Sequence, residues 1–478
     1  MEKQRTQHGT LKWSHGFLGL VLMFALFALL LSSLITTQYV VHFFQREMFP
    51  NSTLSTSNAS ACNVNTSTED YYERTAVQKA ASEYNIYKTL VEGIPSLIIS
   101  GVLGGLGDKY GRSQMLIYSM SMSTLSGCIY SVIVYFEVDV HYLLVASAVY
   151  SLGGGLFGIL SICFAYISDV TSPGKLRTLM ITLLEASVGI GLAVSGFVSG
   201  FIIERIGFFY GSLCVGAASL CSLLVVIFFL PNSRPHSMLL SGTTSLENAR
   251  ASFEFYIRAS PKRHKYILAI IIFMFATFSA IGQPIVDVLY QLNVPFCWSS
   301  VKVGYYSALA NALRLILGAA SVKVLQNCFK EEMIGILSSM SGMAACILEA
   351  FAINDTMLFM VPVTGCLGTI VIPMTRSIMS KLTPGEKQGA LFAGIAAVEI
   401  SANIASNLGA SAIYIATVGT IRGFVFLVFA GCFVMTTFLL IVYRIINRRS
   451  QTVPLADTTK NIGYGTQTQI DYGEDPCH

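Results

Sequence analysis

The stretch GGLGDKYGRS, residues 104–113, interrupts a chain that is otherwise poor in charge. Apolar runs lie on both sides of it, GIPSLIISGVL before and MLIYSMSMSTLSGCIYSVIVYF from residue 115 onward. Charged side chains are costly inside a bilayer. We therefore expect this stretch, with its aspartate, lysine and arginine, to be a short loop between two membrane helices.

The composition of the whole chain agrees with this interpretation. The 478 residues are 53% hydrophobic and only 12% charged, whereas an ordinary soluble domain is roughly 25% charged. A membrane-spanning helix needs about 20 residues. Apolar blocks of this length are centred near residues 28, 96, 125, 154, 190, 220, 277, 313, 342, 368, 402 and 433. The sequence predicts an all-α membrane protein with twelve transmembrane helices.

The polar segments between these blocks predict the orientation. Lys and Arg are more frequent in the segments that are cytoplasmic if both termini are inside, as the positive-inside rule requires. The segment after the first helix, predicted to lie outside, contains glycosylation acceptor sequences at Asn51, Asn58 and Asn65. Of eleven cysteines, only Cys62 and Cys297 lie in predicted outer loops. They are candidates for a disulfide, and the alternative is two free thiols.

A long polar segment after the sixth block divides the chain into two six-helix halves. We predict a cytoplasmic N-terminus (1–16), a first half (17–230, with a glycosylated outer loop at 45–85), a cytoplasmic linker (231–265), a second half (266–445) and a cytoplasmic tail (446–478). Two six-helix halves related by an axis along the membrane normal describe the major facilitator fold, in which the substrate lies between the halves.

Two cytoplasmic elements of the first half are predicted to form a gate. In the opening stretch a glycine permits a tight turn, and an aspartate can cap a helix and meet the positive end of another. In FAYISDVTSPGKLRT, an aspartate and an arginine flank a turn and can form an ion pair. The alternatives are a positively charged turn and a solvated loop. The predicted gate residues are Gly104, Asp108, Gly111, Arg112, Asp169 and Arg177.

Ionisable residues inside the apolar blocks are candidates for function, because each costs about 2.5–3.5 kcal/mol to insert. The arginines can bind an anionic group of a substrate, and a partly desolvated carboxylate such as that of Glu185 can carry a proton. The alternative is that the charges link helices structurally. Glu349 and Arg422 lie near helix ends and are expected to reach the membrane surface. The candidate for proton coupling is Glu185, and the candidates for substrate binding are Glu92, Asp287, Arg314, Arg376 and Glu399.

Several phrases make the chain resemble a known family. LITTQY, GDKYGR, FAYISDV, RTLMITLLEAS, VPFCW, IPMTRSIMSKL and EKQGALF are similar to segments of the solute-carrier family that includes the proton-coupled folate transporter, and the likeness runs from about residue 34 to residue 440. The resemblance implies a major facilitator fold and a glycosylated first outer loop joined by a Cys62–Cys297 disulfide. It also implies proton coupling at Glu185, and proton or substrate binding at Arg376.

The chain departs from the folate-transporting branch at three positions. That branch carries an aspartate in helix 4 and a histidine in helix 7, where this chain has Gly155 and Ala280. Ser147 replaces the basic residue usual in helix 4. These differences favour a non-folate or divergent branch, among similar carriers associated with muramyl peptides, cyclic dinucleotides and other bulky anions.

The sequence therefore predicts a secondary active transporter. We expect proton-coupled symport of an organic anion, of the folate-like, muramyl-peptide or cyclic-dinucleotide class, toward the cytosol by alternating access. The alternative is a non-transporting receptor or scaffold that retains the fold. No zinc-binding spacing, nucleophile elbow or phosphate-cradling loop occurs in the sequence, so an enzyme is not expected. Protons are the only expected coupling ion, with no other cofactor and no metal.

The expected surroundings of the protein follow from the same features. The partners are a small anionic substrate and membrane lipid, without nucleic acid, and the oligomeric state is left open. The membrane is the plasma membrane or an endolysosomal membrane, with both termini in the cytoplasm.

Overall fold

The computed structural model of the chain describes residues 16–50, 69–171, 175–232, 263–382 and 388–452. Within these ranges the regular structure is helical and contains no β-strand. The predicted glycosylation sites Asn51, Asn58 and Asn65 lie outside the described residues, as does Cys62. Those assignments stay predictions.

The described residues form fifteen α-helices, a short 3₁₀ helix at Val140–Tyr142 and a π-helical segment at Arg314–Gly318. The helices are α1 Phe17–Met48, α2 Glu69–Tyr110, α3 Arg112–Tyr135, α4 Leu143–Leu152, α5 Gly155–Val170, α6 Lys175–Arg205, α7 Phe208–Phe229, α8 Arg263–Leu292, α9 Ser300–Leu313, α10 Ala319–Cys328, α11 Glu331–Ala350, α12 Asp355–Thr364, α13 Val371–Leu382, α14 Gln388–Thr417 and α15 Phe424–Thr452.

These helices make twelve passes, because three passes are interrupted. Gly154, in the left-handed conformation with φ of 88°, separates α4 from α5. The π-helical segment separates α9 from α10, and turns at 365–370 separate α12 from α13. Nine stretches of the described chain are long and apolar enough to cross a membrane by themselves; the other passes are those of α9–α10, α12–α13 and α14. The prediction of an all-α membrane fold with twelve transmembrane helices is confirmed.

Side-chain contacts show which helix ends lie together. Arg46, near the end of α1, forms an ion pair of 2.8 Å with Glu137 after α3. Arg74, near the start of α2, donates to the sulfur of Cys297 at 3.7 Å, in the connection between α8 and α9. We call this the outer end, because the sequence predicts that it faces outside. At the opposite end, the Ser113 hydroxyl of α3 donates to the carbonyl of Leu230 at 3.0 Å.

Helix packing follows the two predicted halves. In the first half α1 packs on α6 and α7, and α3 packs on α7; in the second half α15 packs on α8 and α11. The two halves meet where α6 packs on α9 and where α2 packs on α14. The domain boundaries themselves stay a prediction, with α8 beginning at Arg263 and α15 ending at Thr452.

Glycines bring α6 and α9 into backbone contact near the outer end. A Cβ atom added at Gly196 would lie 2.7 Å from the backbone nitrogen of Ala308, and one at Gly200 would lie 2.6 Å from the carbonyl oxygen of Ser300. On the facing helix, a Cβ at Gly304 would lie 2.8 Å from the carbonyl oxygen of Gly196. Small residues allow such close approach of membrane helices. The halves are therefore tightly apposed at the outer end.

Candidate functional site

The two predicted gate elements contact each other. Residues 104–110 belong to α2, so the expected loop is shorter than predicted. Only Gly111, with φ of 99°, separates α2 from α3, as predicted for a turn that glycine permits. The Nε of Arg112 lies 3.5 Å from an Asp169 carboxylate oxygen, and both side chains are largely buried. This ion pair lies within the first half. Gly104 and Asp108 lie on α2 and Arg177 lies on α6, but the surroundings of these residues are not described, so their roles in the gate stay predictions.

Glu92 is held by its neighbours in the first half. The Ser147 hydroxyl of α4 donates to Glu92 Oε1 at 2.7 Å. Lys88, one turn earlier on α2, places its Nζ 3.7 Å from the same oxygen. Ser147, which takes the place of the family's basic residue, therefore supplies a neutral donor to this carboxylate.

Glu185 lies on α6, whose backbone is described, but its side chain is not. One turn further along α6, a Cβ added at Gly189 would lie 2.6 Å from the Leu315 side chain in the π-helical segment. This part of α6 therefore faces the second half. The proton-coupling role of Glu185 stays a prediction.

Arg376 and Glu399 pair with each other across two helices of the second half. Nη2 of Arg376, on α13, lies 2.5 Å from Oε2 of Glu399 on α14. The Arg376 guanidinium also lies 5.6 Å from the centre of the Phe273 ring on α8. Charge-assisted pairs of this kind are strong. The ion pair therefore links three helices, and the charge of Arg376 is already balanced.

A pocket opens within the second half, among α8, α9, the π-helical segment, α11, α12 and α15. Arg314 and Gln283 supply its long polar side chains, and most other lining groups are small or apolar. The lining consists of Ala280, Gln283, Tyr306, Ala310, Arg314, Gly342, Ala345, Val361, Pro362, Gly365, Gly368, Thr369 and Phe433. Arg314 forms no ion pair with any carboxylate in the described ranges. A guanidinium in such a pocket can bind an anionic group.

Asp287 and Glu349 lie beside this pocket and contact each other. Asp287 is 7% exposed and Glu349 is fully buried, and the two carboxyl groups are neighbours that act on each other. Gln283 Nε2 donates to Glu349 Oε2 at 2.6 Å, and Arg314 interacts electrostatically with both carboxyl groups. The expectation that Glu349 reaches the membrane surface is wrong, since Glu349 is fully buried and contacts Gln283 and Tyr290 of α8.

The structure also accounts for two departures from the folate branch. Gly155 has φ of 59°, and a Cβ there would lie 2.6 Å from the Ser96 hydroxyl oxygen. A side chain at this position is strained by the positive φ and requires the Ser96 hydroxyl to move. Ala280 lines the pocket that contains Arg314. A histidine in its place would occupy part of that space.

One predicted disulfide residue can be placed. Cys297 is disulfide-bonded, and its partner is not among the described residues, where eight other cysteines are free. Pairing with Cys62 stays a prediction. In the described ranges, no group of three or more His, Cys, Asp or Glu residues is arranged to hold a metal ion.

Residues 89–396 match the family model described as Major Facilitator Superfamily. This match covers more than half of the chain. The chain belongs to the Major Facilitator Superfamily. The helical passes, the two halves and the pocket among membrane helices are therefore those of a transporter of this superfamily, and its ligands are small molecules.

The chain is also similar in sequence to characterised members of the family that it resembles. The chain is 29% identical over 414 residues to the "lysosomal proton-coupled steroid conjugate and bile acid symporter SLC46A3" of Homo sapiens, covering 85% of this chain and 89% of the relative. It is 26% identical over 409 residues to the "proton-coupled folate transporter" of Bos taurus, covering 85% and 87%. The predicted resemblance is confirmed.

Solved structures share the superfamily fold at low sequence identity. The human organic anion transporter MFSD10 (TETRAN) matches with a TM-score of 0.65 at 13% identity, covering 90% of this chain and 100% of that one. A D-xylose-proton symporter matches with a TM-score of 0.64 at 15% identity, covering 89% and 95%. These likenesses show the fold alone.

Sequence reasoning missed Glu349 and Gln283 as parts of the site. Gln283 and Asp287 are four residues apart in an apolar run, so they lie on one face of a helix. Two polar groups on one face of a membrane helix need partners on another helix. That spacing was the available signal, and Glu349 of α11 is the partner.

Proposed function

We propose that this superfamily member is a proton-coupled symporter that moves an organic anion toward the cytosol by alternating access. The observation that carries the proposal is Arg314, a cation that lines a membrane pocket without forming an ion pair with a described carboxylate. A bidentate guanidinium matches a carboxylate, sulfate or phosphate group. Transport, and not catalysis, is the activity that this arrangement supports.

The rest of the pocket lining is suited to contact the apolar part of an organic anion. Tyr306, Val361 and Phe433 contribute apolar surface, and Gln283 contributes the second polar group. Ligand pockets usually combine an apolar lining with few polar groups that fix the orientation. The relatives named above act on steroid conjugates, bile acids and folates, which are organic anions with fused or linked rings. Steroid conjugates and bile acids therefore join folates, muramyl peptides and cyclic dinucleotides as candidate substrates.

Proton coupling is supported by the names of both kinds of relative. We assign proton binding to Glu185, which lies on α6, the helix that meets the second half. We assign either proton or substrate binding to Arg376. Protonation on the acidic outer side favours loading of the anion, and deprotonation in the neutral cytosol favours its release. Protons are the only coupling ion in this scheme.

The proposed location is a plasma or endolysosomal membrane with both termini in the cytoplasm. In either membrane the outer face can be more acidic than the cytosol, so the same proton gradient drives import. The predicted gate at the cytoplasmic end then opens for release, while the tightly packed outer ends of α6 and α9 keep the opposite side closed.

Uptake into cells that display the protein at their surface tests the proposal. The probes are a sulfated steroid, a bile acid, a folate, a muramyl dipeptide and a cyclic dinucleotide, each at acidic and neutral outer pH. We expect acid-stimulated uptake of at least one probe, lost in Arg314→Gln and reduced in Glu185→Gln. Arg46→Gln is the matched control, because Arg46 is an exposed arginine at the outer end.

Two outcomes contradict the proposal. Uptake that is equal at both pH values and unaffected by Glu185→Gln would exclude proton coupling. Absence of uptake of every probe, with surface display confirmed, would favour a receptor or scaffold that retains the fold.

A further inference from the structure

We propose that Asp287 and Glu349 together form a proton-binding site that decides whether Arg314 is free to bind the transported anion. This inference rests on the proposed function, and it assigns proton chemistry to the second half in addition to Glu185. The ligand of the new site is a proton shared between two carboxyl groups.

The first argument is the contact between the two carboxyl groups. The two carboxyl groups are neighbours that act on each other, and Asp287 Oδ1 and Glu349 Oε1 are buried without any donor from the described part of the protein. Two carboxylates cannot accept hydrogen bonds from each other. A proton between them supplies the donor that both oxygens lack, as in other carboxyl pairs whose members share one proton.

The second argument is isolation from water. Glu349 is fully buried and Asp287 nearly so. Toward the outer end, the Tyr290 hydroxyl donates to the backbone carbonyl of Glu349 at 3.3 Å, and the Tyr290 ring packs on Phe426 with centroids 5.0 Å apart. Two adjacent negative charges in such surroundings are strongly disfavoured. The pair therefore retains at least one proton.

The third argument is the small number of other charges around the pair. Arg314 is the only cation that interacts with both carboxyl groups within the described ranges. Val361 and Pro362, the residues of α12 in the pocket lining, do not titrate. The other titratable groups that face the pair or its immediate neighbours are Tyr290, Tyr306, Cys346, Cys432 and Arg422. Tyrosine and cysteine side chains are ordinarily uncharged at mildly acidic and neutral pH.

Charge balance then couples binding of a second proton by the pair to binding of the anion by Arg314. With one proton, the Asp287–Glu349 pair has a charge of −1 and neutralises Arg314. When a monovalent anion binds Arg314, the pair must take up a second proton to keep the buried site neutral. When that proton leaves to the cytosol, the pair again attracts Arg314, and the anion is released. Gln283 connects the two events, since it lines the pocket and donates to Glu349.

Substitutions in the pair distinguish this mechanism from a purely structural pair. In Asp287→Asn or Glu349→Gln, the remaining carboxylate can pair with Arg314 and accept one proton, so acid stimulation is retained with a shifted pH profile. In the double variant Arg314 is always free, so the anion still binds and exchanges across the membrane, but acid stimulation of uptake falls to the part that Glu185 supplies. Glu204→Gln, at an exposed glutamate of α6, is the control.

Infrared spectroscopy tests the pair without any substrate. We expect the purified full chain at neutral pH to show a protonated-carboxyl C=O band that is absent from both single variants and from the double variant. It should persist in Glu204→Gln. The conservative amides keep the size of each side chain, and a monodisperse size-exclusion profile verifies folding.

The outcomes separate this inference from the proposed function. A wild-type band that survives in all pair variants, or acid-stimulated uptake that survives unchanged in the double variant, overturns the inference and leaves symport intact. If the wild type transports no probe, the proposed function fails, and the infrared difference still decides whether the pair holds a proton.

Discussion

The two halves of the molecule have the same number of helical passes but treat their buried charges differently. In the first half, Glu92 is 31% exposed and finds its partners on its own helix and on α4, at Lys88 and Ser147. In the second half, Asp287 and Glu349 come from two helices, are almost completely buried, and share one cation. The apolar pattern of the sequence accounts for both helical bundles, whereas their polar contacts differ. The nearly complete burial of this carboxyl pair beside the pocket makes the second half the better candidate for ligand chemistry.

Among the substitutions that test this comparison of the two halves, the largest expected effect is at the interface where the halves meet. Gly200→Val places a branched side chain where even a Cβ would lie 2.6 Å from the backbone of α9. Overpacking costs about 1–3 kcal/mol, and about 1.4 kcal/mol changes an equilibrium tenfold. We expect the outer-closed state to lose population and uptake of a transported anion to fall by about tenfold.

Gly431→Val on α15 is the control for this substitution, because an added Cβ there has no neighbour within 4 Å. Labelling of a cysteine introduced at the outer end should increase in Gly200→Val and not in the control. Normal uptake by Gly200→Val would show that the halves do not need this close contact.

An intermediate effect is expected within the second half. Gln283→Leu removes the 2.6 Å hydrogen bond to Glu349 and leaves a buried carboxyl oxygen without its donor. Such a loss costs about 1–3 kcal/mol, so the midpoint of thermal unfolding of the purified protein should fall.

The double variant Gln283→Leu with Glu349→Leu sharpens this test. Replacing both partners by apolar groups removes the unsatisfied oxygen, so the double variant should be less destabilised than the sum of the two single variants. Strictly additive destabilisation would mean that the two side chains are not coupled.

The sequence was sufficient for the fold, because apolar blocks of membrane-spanning length leave few alternatives to a helical bundle. It was not sufficient for the interruptions within passes, such as the one at Gly154, which depend on how neighbouring helices pack. The expectation from the sequence that Glu349 reaches the membrane surface was wrong for a related reason. The sequence shows only that Glu349 lies near the end of its helix. The burial of Glu349 depends on which other elements cover that end.

Candidate-site residues were predictable one at a time, since intramembrane charges are few. Their pairing was not, because Arg376 with Glu399 and Asp287 with Glu349 are brought together by tertiary packing of helices far apart in the chain. Ser147 illustrates the same point. Its identity as a departure from the family was visible in the sequence, while its contact with Glu92 was not.

The smallest effect is expected in the first half, at this contact. Ser147→Ala removes the 2.7 Å hydrogen bond to Glu92, but Glu92 keeps Lys88 as a neighbour and is exposed enough to bind water instead. A typical hydrogen bond contributes about 0.5–1.5 kcal/mol, so thermal stability should fall slightly and acid-stimulated uptake should be unchanged. Ala146→Ser, one position earlier on α4, is a control that adds a hydroxyl without touching the pair. Loss of acid stimulation in Ser147→Ala would place essential proton chemistry at Glu92 and reverse the assignment of roles to the two halves.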